Sequence, residues 1–335
     1  MTKTLNKMAD LYSRLSQIGF PKKYVQEVAL PDWWCDEFEQ SDGAEIDAAS
    51  YAARRLNLDL ESLLGQENSP SFNLTGQPKF KSIKGSDYNK FTVPTALCNR
   101  VAELVSYACI NEYQSLNNLS IQQIRSIILE NDGIVSLESV LNFCWQRGIP
   151  VLHCDNFPDK TKKFHGMVTY IGERPVITIS FSDISPSRLL FITAHEIGHI
   201  YKGHVSPEIG SRIDDTVDYN SVDEQEIEAN EFAGELLLGS PNMSYDLPNQ
   251  YQGRRLAACA ERIAARDKIA PGIVAWNYGH KKSQWGLATK AARILEPEAN
   301  APLQINQCLE AQIDWDKLSD DNQEHLKLFL KLEDN

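Results

Sequence analysis

The most informative short motif in the chain is His195-Glu196-Ile197-Gly198-His199, which combines two metal-binding side chains with a carboxylate. Residues four apart lie one turn apart on the same face of a helix, so both imidazoles can reach one metal ion. Zinc takes two histidine nitrogens in many tetrahedral sites. Glu196 is rotated by about 100° from His195 at 3.6 residues per turn. It can therefore act as a general base beside zinc without occupying a ligand position.

The residues around this motif favour a buried helix. Ser185 or Ser187 lies near its predicted start, and large apolar side chains flank the histidines: Phe191, Ile192, Ile197 and Ile200. Two surface histidines would not require such flanks. A glycine inside a helix costs roughly 1 kcal/mol relative to alanine, so Gly198 indicates a packing demand. The pattern predicts a metal site, against the alternative of a helix with two exposed histidines.

Two histidines do not complete a catalytic zinc site, which usually has three protein ligands and one open position. A third histidine six residues after His199 would supply one known arrangement. Val205 occupies that position, and His204 lies one residue early. We therefore expect His204 to lie at the surface or beside a ligand, rather than to bind zinc itself.

The predicted helix at 223–238 is a better source of the third ligand, because an acidic stripe runs beside its apolar stripe. The acidic residues are Glu224, Glu228, Glu231 and Glu235. One carboxylate from this helix would complete His–His–Glu coordination, and we select Glu228, with Glu224 as the main competitor. The alternative is a solvated acidic face, and spacing alone does not decide between them.

Composition excludes several classes of protein. The chain has 335 residues, with 33 Lys and Arg against 46 Asp and Glu and a formal net charge of −13, which disfavours non-specific nucleic-acid binding. No stretch reaches the roughly 20 apolar residues of a membrane span, and the N-terminus lacks the apolar core of a signal peptide. The seven cysteines form no CxxC pair, which argues against a disulfide framework. We expect a cytoplasmic protein with no membrane partner.

Apolar periodicity and turn-forming residues divide the chain into four parts. We predict a helical domain at 1–65, a linker at 66–90, a mixed domain at 91–290 and an acidic helical tail at 291–335. The mixed domain begins with helical patterns at about 94–113, 120–130 and 136–147, with Pro94 near the first start and a Ser120–Gln123 capping box at the second. Two β-branched runs, 167–171 and 176–180, then predict a hairpin. The fold class is α+β and mostly helical.

Several short helices within 1–65 suggest a helix-turn-helix-like module. This part contains seven Lys and Arg against eleven Asp and Glu. DNA-binding modules usually carry a basic surface, so this balance favours packing or partner binding over DNA recognition.

With these motifs in place, the chain resembles the ImmA/IrrE family of bacterial and phage metallopeptidases. The resemblance covers roughly residues 95–280 and rests on the hairpin, on 191–199 and on Glu228-Ala229-Asn230-Glu231-Phe232-Ala233-Gly234-Glu235-Leu236-Leu237. It implies a zincin-like metallopeptidase core with His195, His199 and Glu228 as Zn²⁺ ligands and Glu196 as general base. It also places Tyr278 or His280 near the cleft, where either could assist an oxyanion or only pack.

The resemblance further implies a protein substrate. Members of the family often act on helix-turn-helix repressors and switch on mobile-element, DNA-damage or phage-defence genes, and many carry an N-terminal Xre-like domain, of which 1–65 resembles a degenerate version. We expect a zinc endopeptidase that cleaves a cognate helix-turn-helix repressor. The alternatives are a metal-containing regulatory or toxin–antitoxin protein that acts by binding, and a DNA-binding regulator that uses 1–65.

Overall fold

The structure is a computed structural model that describes residues 7–65, 69–74, 79–80, 88–217, 221–245, 247–249 and 252–332. Within these ranges the chain is mostly helical and contains a small sheet. The predicted α+β class is therefore confirmed.

The N-terminal part consists of short helices around a shared apolar core. They are α1 (Lys7–Gln17), α2 (Lys22–Tyr24), α3 (Asp36–Glu39), α4 (Ala44–Leu56) and α5 (Leu60–Leu64), with a π-helical turn at Val25–Ala29. Asp59 caps α5 by accepting the N–H of Ser62, and Leu15, Phe20 and Leu56 are fully buried. The helical content agrees with the sequence, whereas a separate helix-turn-helix-like domain stays a prediction.

The next elements are β1 (Lys79–Phe80), α6 (Tyr88–Ala108), α7 (Ile121–Asp132) and α8 (Leu137–Gln146). The capping box predicted at the start of α7 is present. Helix α6 begins before Pro94, so this proline lies inside the helix and not near its start. Phe91, Leu97 and Val101 are fully buried, and their packing outweighs the missing N–H of the proline.

The sheet contains β1, β2 (Val151–His153), β3 (Gly166–Ile171), β4 (Arg174–Ile179) and β5 (Ser211–Asp214), in the order β1-β5-β3-β4-β2. Strands β3 and β4 form the predicted antiparallel hairpin, in which Val168 pairs with Ile177. Strand β5 pairs antiparallel with β3 and places Asp214 opposite Gly166. Strand β5 lies outside the predicted hairpin and is not among the predicted elements.

Two helices, α9 (Pro186–Tyr201) and α10 (Glu224–Leu238), pack against each other, and α9 also packs on β3 and β4. The remaining helices are α11 (Gly253–Asp267), α12 (Pro271–Lys282), α13 (Trp285–Leu295), α14 (Ala301–Glu310) and α15 (Asp320–Leu330). Among the described residues, no helix combines the length and the apolar character needed to cross a bilayer.

The C-terminal helix contacts the N-terminal helices through a buried cation. Arg55 on α4 donates to Asp321 Oδ1 at 2.7 Å and to Glu324 Oε1 at 2.8 Å, both on α15. The Arg55 side chain is only 2% exposed. Helix α15 therefore packs over the N-terminal helices.

Candidate metal centre

Helix α9 presents both histidines of the motif on its buried side. Ser185 caps the helix by accepting the N–H of Arg188, and Pro186 occupies its first turn, where a missing N–H has no cost. His195 and His199 are fully buried, and their Nε2 atoms lie 3.0 Å apart. The structure thus brings the two imidazoles to one point.

Gly198 lets α10 approach α9 at the level of the histidines. A Cβ at this position would lie 3.0 Å from both Cα and O of Ala229 and 3.2 Å from Cβ of Phe232. Such distances are tighter than ordinary packing contacts, so any larger residue would push the helices apart. The packing role expected for this glycine is therefore confirmed.

Helix α10 contributes Glu226 from its first turn. Asp223 caps the helix by accepting the N–H groups of Gln225 and Glu226, and Glu226 is fully buried. Its Oε2 lies 3.6 Å from His195 Nε2, and its Oε1 lies 3.7 Å from His199 Nε2. One carboxylate of α10 therefore faces both imidazoles.

Strand β5 contributes Arg212 and Asp214, which share a face because alternate strand residues point the same way. Asp214 is fully buried, and its Oδ2 lies 3.1 Å from His199 Nε2 and 3.7 Å from His195 Nε2. Arg212 donates through Nη2 to Glu226 Oε1 at 2.6 Å. Its Nε lies 3.6 Å from Asp214 Oδ1, so one guanidinium lies beside both carboxylates.

These elements assemble a cluster of four side chains that could hold a metal ion. Its donor atoms all lie within 4.8 Å of one another and come from His195, His199, Asp214 and Glu226. Glu196 adds a third buried carboxylate at the same place. Three carboxylates against the guanidinium of Arg212 leave a formal excess of two negative charges. Uncompensated buried charge is strongly unfavourable, and a divalent cation would neutralise this excess.

The pKa values of His199 and Asp214 are both shifted below their usual range, for different reasons. Burial lowers the pKa of His199 to about 3, although nearby Asp214 acts in the opposite direction. Burial alone would raise the pKa of Asp214, but the two imidazoles outweigh it and hold that pKa well below its usual range. The cluster therefore offers a neutral imidazole and an ionised carboxylate, the protonation states that metal ligands need.

The outer nitrogen of each imidazole has its own partner. His195 Nδ1 lies 3.0 Å from Asn230 Oδ1; an amide oxygen only accepts, so His195 Nδ1 carries the proton. His199 Nδ1 lies 2.8 Å from His204 Nδ1, and His204 Nε2 lies 2.9 Å from Glu228 Oε2. When His204 Nε2–H donates a hydrogen bond to Glu228, His204 Nδ1 is unprotonated and accepts a hydrogen bond from His199 Nδ1–H. Both histidines then direct an unprotonated Nε2 into the cluster.

The structure does not bring Glu228 or Glu224 to the imidazoles. The Glu228 side chain is 40% exposed and contacts His204 and Lys202, whereas Glu224 is exposed on the first turn of α10. Glu226 lies between them in sequence but points to the opposite side of the helix, because successive residues rotate by about 100°. Helix α10 packs on α9 with the face that carries Glu226, so the Glu226 side chain is buried between the two helices.

Glu196 lies beside the first residue of β3 and is fully buried. A Cβ on Gly166 would overlap the Glu196 carboxylate. Glu196 can therefore keep this position only beside a residue without a side chain, and β3 forms a wall behind the carboxylate. This places Glu196 next to the cluster but outside its set of four donors.

A cleft of about 530 Å³ opens beside the cluster. Asn230, the partner of His195, lines this cleft, and much of its wall is apolar: Phe191, Ile227, Met243, Ile273, Trp276 and Trp285. Of the two residues considered for oxyanion assistance, His280 lines the cleft. Tyr278 is fully buried and its hydroxyl donates to Gln284. The cleft can accommodate an extended chain segment with large side chains.

Sequence reasoning did not select Asp214, Arg212 or Glu226. The alternation around Ile213 is a period-two signal, but a run of four residues does not distinguish a strand from a loop by pattern alone. Glu226 belongs to the predicted acidic helix but lies off the stripe that contains Glu228. The sequence therefore predicts that Glu226 lies on this helix, but it does not indicate that Glu226 faces the histidines.

Comparison with known proteins connects this cluster to a peptidase family. Residues 144–274 match the Peptidase_M78 family, described as the IrrE N-terminal-like domain. The matched segment contains all four donors of the cluster as well as Glu196. No curated protein and no solved structure shows a significant match. The family match supports a metallopeptidase.

Proposed function

We propose that this protein is a zinc-dependent endopeptidase in which His195, His199 and Glu226 hold the metal and Glu196 is the general base. The observation that carries the proposal is the buried cluster of imidazoles and carboxylates at the edge of a cleft. The cluster together with Glu196 and Arg212 carries two excess negative charges, which suit a divalent cation, and its nitrogen and carboxylate donors suit zinc. The Peptidase_M78 match over the same residues supports peptide-bond hydrolysis.

A bound zinc ion would supply Lewis-acid polarisation of the scissile carbonyl and activation of a water molecule. Glu196 takes one proton from the attacking water while the water oxygen bonds to the carbonyl carbon. Glu196 then transfers that proton to the amide nitrogen as the C–N bond breaks. This transfer returns Glu196 to its carboxylate form. The wall formed by Gly166 holds the Glu196 carboxylate in place for both transfers.

Two further side chains support this arrangement. Arg212 fixes Glu226 through a 2.6 Å hydrogen bond, so the ligand carboxylate keeps its orientation. His165, which lines the cleft, accepts the N–H of Val217 at Nδ1. Burial lowers the pKa of His165 to about 4, so the ring is neutral and carries its proton on Nε2. It is a suitable hydrogen-bond donor for a peptide carbonyl in the cleft.

We propose that the substrate is a helix-turn-helix transcriptional repressor in a stress, mobile-element or phage-defence switch. The support is the resemblance to the ImmA/IrrE family together with the charge of the chain. A net charge of −13 is complementary to the basic surface that a DNA-binding protein presents, and such complementarity speeds association.

The test uses the full chain, purified with zinc and incubated with any helix-turn-helix repressor whose gene neighbours its own. Cleavage is followed by mass spectrometry. The Glu196→Gln variant should retain stoichiometric zinc and lose about 10²–10⁴-fold in rate, the usual contribution of a positioned general base. Glu261→Gln, which changes an exposed glutamate on α11, is the matched control. Wild-type protein that binds no stoichiometric zinc, or full activity of Glu196→Gln, would overturn the proposal.

A further inference from the structure

The metal-binding cluster contains four protein donors, one more than a catalytic zinc site usually has. Three protein ligands leave one coordination position for water or substrate, whereas four protein ligands close the site. His195, His199 and Glu226 already supply three ligands. Asp214 on β5 is the additional donor.

The distances within the cluster suit four donors around one ion. Bonds of about 2.0–2.2 Å in a tetrahedral site separate neighbouring donors by about 3.3–3.6 Å. Asp214 Oδ2 lies 3.1 Å and 3.7 Å from the Nε2 atoms of His199 and His195. The corresponding Glu226 oxygens lie 3.6 Å from His195 and 3.7 Å from His199. By these distances, the Asp214 carboxylate fits a ligand position no less closely than the Glu226 carboxylate does.

The two carboxylates differ in how firmly they are held. Glu226 accepts a short hydrogen bond from Arg212 Nη2, and its N–H is fixed by the cap of Asp223. Asp214 has no such anchor from Arg212, because its Oδ1 lies 3.6 Å from Arg212 Nε, beyond hydrogen-bond distance, while its Oδ2 faces the imidazole Nε2 atoms. Asp214 is thus the carboxylate that can leave the cluster at lower cost.

A second position for the Asp214 carboxylate exists beside the first. Arg212 Nε is buried, has no hydrogen-bond acceptor among the described residues and lies 3.6 Å from Asp214 Oδ1. A rotation of the Asp214 side chain toward this N–H would satisfy both groups. The backbone need not move, because the carbonyl of Asp214 accepts the N–H of His165 and β5 stays paired with β3.

We propose that Asp214 is a displaceable fourth ligand that blocks the reactive coordination position and keeps the peptidase latent. This inference rests on the proposed function, since it concerns the same metal site. Thr216 and Val217 follow Asp214 closely in the chain and line the cleft. A substrate segment in the cleft therefore contacts the chain next to Asp214 and favours its rotation toward Arg212. Opening of the site is coupled to substrate binding.

The experiment measures access to the metal directly, without a natural substrate. Full-length protein is loaded with Co²⁺ and titrated with acetohydroxamic acid, a small metal-binding probe, while the visible absorption of the cobalt is recorded. Asp214→Ala should bind the probe at least about tenfold more tightly than wild type, because the blocked position is open. Asp214→Asn, which preserves the shape of the side chain, should also bind more tightly.

Asp215→Asn is the matched control, because Asp215 pairs with Lys162 outside the cluster and its removal should leave probe affinity at the wild-type value. Asp214→Ala should also raise the basal rate of repressor cleavage. Equal probe affinity in wild type and both Asp214 variants, with metal bound, would refute the latch alone. Wild-type protein that fails to bind metal would refute the proposed function together with the latch.

Discussion

His199 and His204 contact each other through their Nδ1 atoms, at 2.8 Å. His204 is buried and in turn contacts Glu228, so it orients the His199 imidazole from outside the cluster. Such outer partners typically contribute 10–100-fold to metal affinity. We expect His204→Leu to weaken zinc binding by about this factor, measured by competition with a chromophoric chelator. Lys202→Met, which changes a partly exposed neighbour, should bind zinc like wild type. Equal affinities for both variants would disprove the orienting role.

Glu226 and Glu228 can be distinguished by metal content. Because Glu226 faces both imidazoles and Glu228 is directed toward His204 and Lys202, Glu226→Gln should lose most bound zinc after dialysis. Glu228→Gln should retain it and show at most a modest loss of affinity. Elemental analysis by plasma mass spectrometry compares the two variants directly. Retention of zinc by Glu226→Gln with loss from Glu228→Gln would restore Glu228 as the ligand.

Arg212 stabilises the cluster when no metal is bound. Its guanidinium is the buried cation that contacts Glu226 and lies next to Asp214. Removing one partner of a buried ion pair typically costs 3–5 kcal/mol, so Arg212→Met should lower the free energy of unfolding of metal-free protein by about that amount. Urea titration in EDTA measures the change, with Arg266→Met on the surface of α11 as control. A loss no larger than that of the control would contradict this role.

The Glu196 carboxylate packs against the backbone of Gly166, in the volume that a Cβ would occupy. A Cβ at Gly166 would overlap that carboxylate, so Gly166→Ala should displace the general base and reduce cleavage strongly while zinc stays bound. Gly286→Ala is a suitable control, because a Cβ there meets nothing within 4 Å and alanine favours the helix. Rates and zinc content are measured on the same preparations. Normal cleavage by Gly166→Ala would show that Glu196 lies elsewhere during the reaction.

His325 makes stability depend on pH. Burial, with the charges of Arg55 and Arg100, lowers its pKa from 6.5 to about 3. Below pH 6.5 the unfolded chain binds a proton that the folded protein excludes, so this group removes stability as pH falls. Each pH unit in that interval corresponds to about 1.4 kcal/mol. Only the part of a pH 7.5 to 5.5 change that lies below pH 6.5 contributes. The free energy of unfolding of His325→Gln, measured by urea titration at both pH values, should therefore fall by about 1.4 kcal/mol less than that of wild type. Parallel losses would argue against a neutral buried imidazole.

Local sequence patterns are sufficient to predict several elements of the fold. The β3–β4 hairpin, the capping box of Ser120 and the helix that carries His195 and His199 all agree with the structure. Each depends on interactions between residues a few positions apart. Helix α6 shows the limit of this reasoning, because burial of Phe91 and its neighbours extends the helix through Pro94.

The choice among the acidic residues of α10 depends on packing between helices. Glu224 and Glu228 share one side of the helix and Glu226 lies on the opposite side, so either side could present a carboxylate to α9. The contact of Gly198 with Ala229 selects the orientation that buries Glu226. No spacing within α10 contains that information, because the partner surface belongs to another element.

The sequence by itself determined a mostly helical α+β chain with a helix that presents two histidines and a glutamate. The tertiary structure decided which carboxylates accompany them. Asp214 and Arg212 reach the cluster because β5 pairs with β3, and Glu226 reaches it because α10 packs on α9. Spacing inside one helix is set by local geometry, whereas a site shared by separate elements is set by how those elements pack.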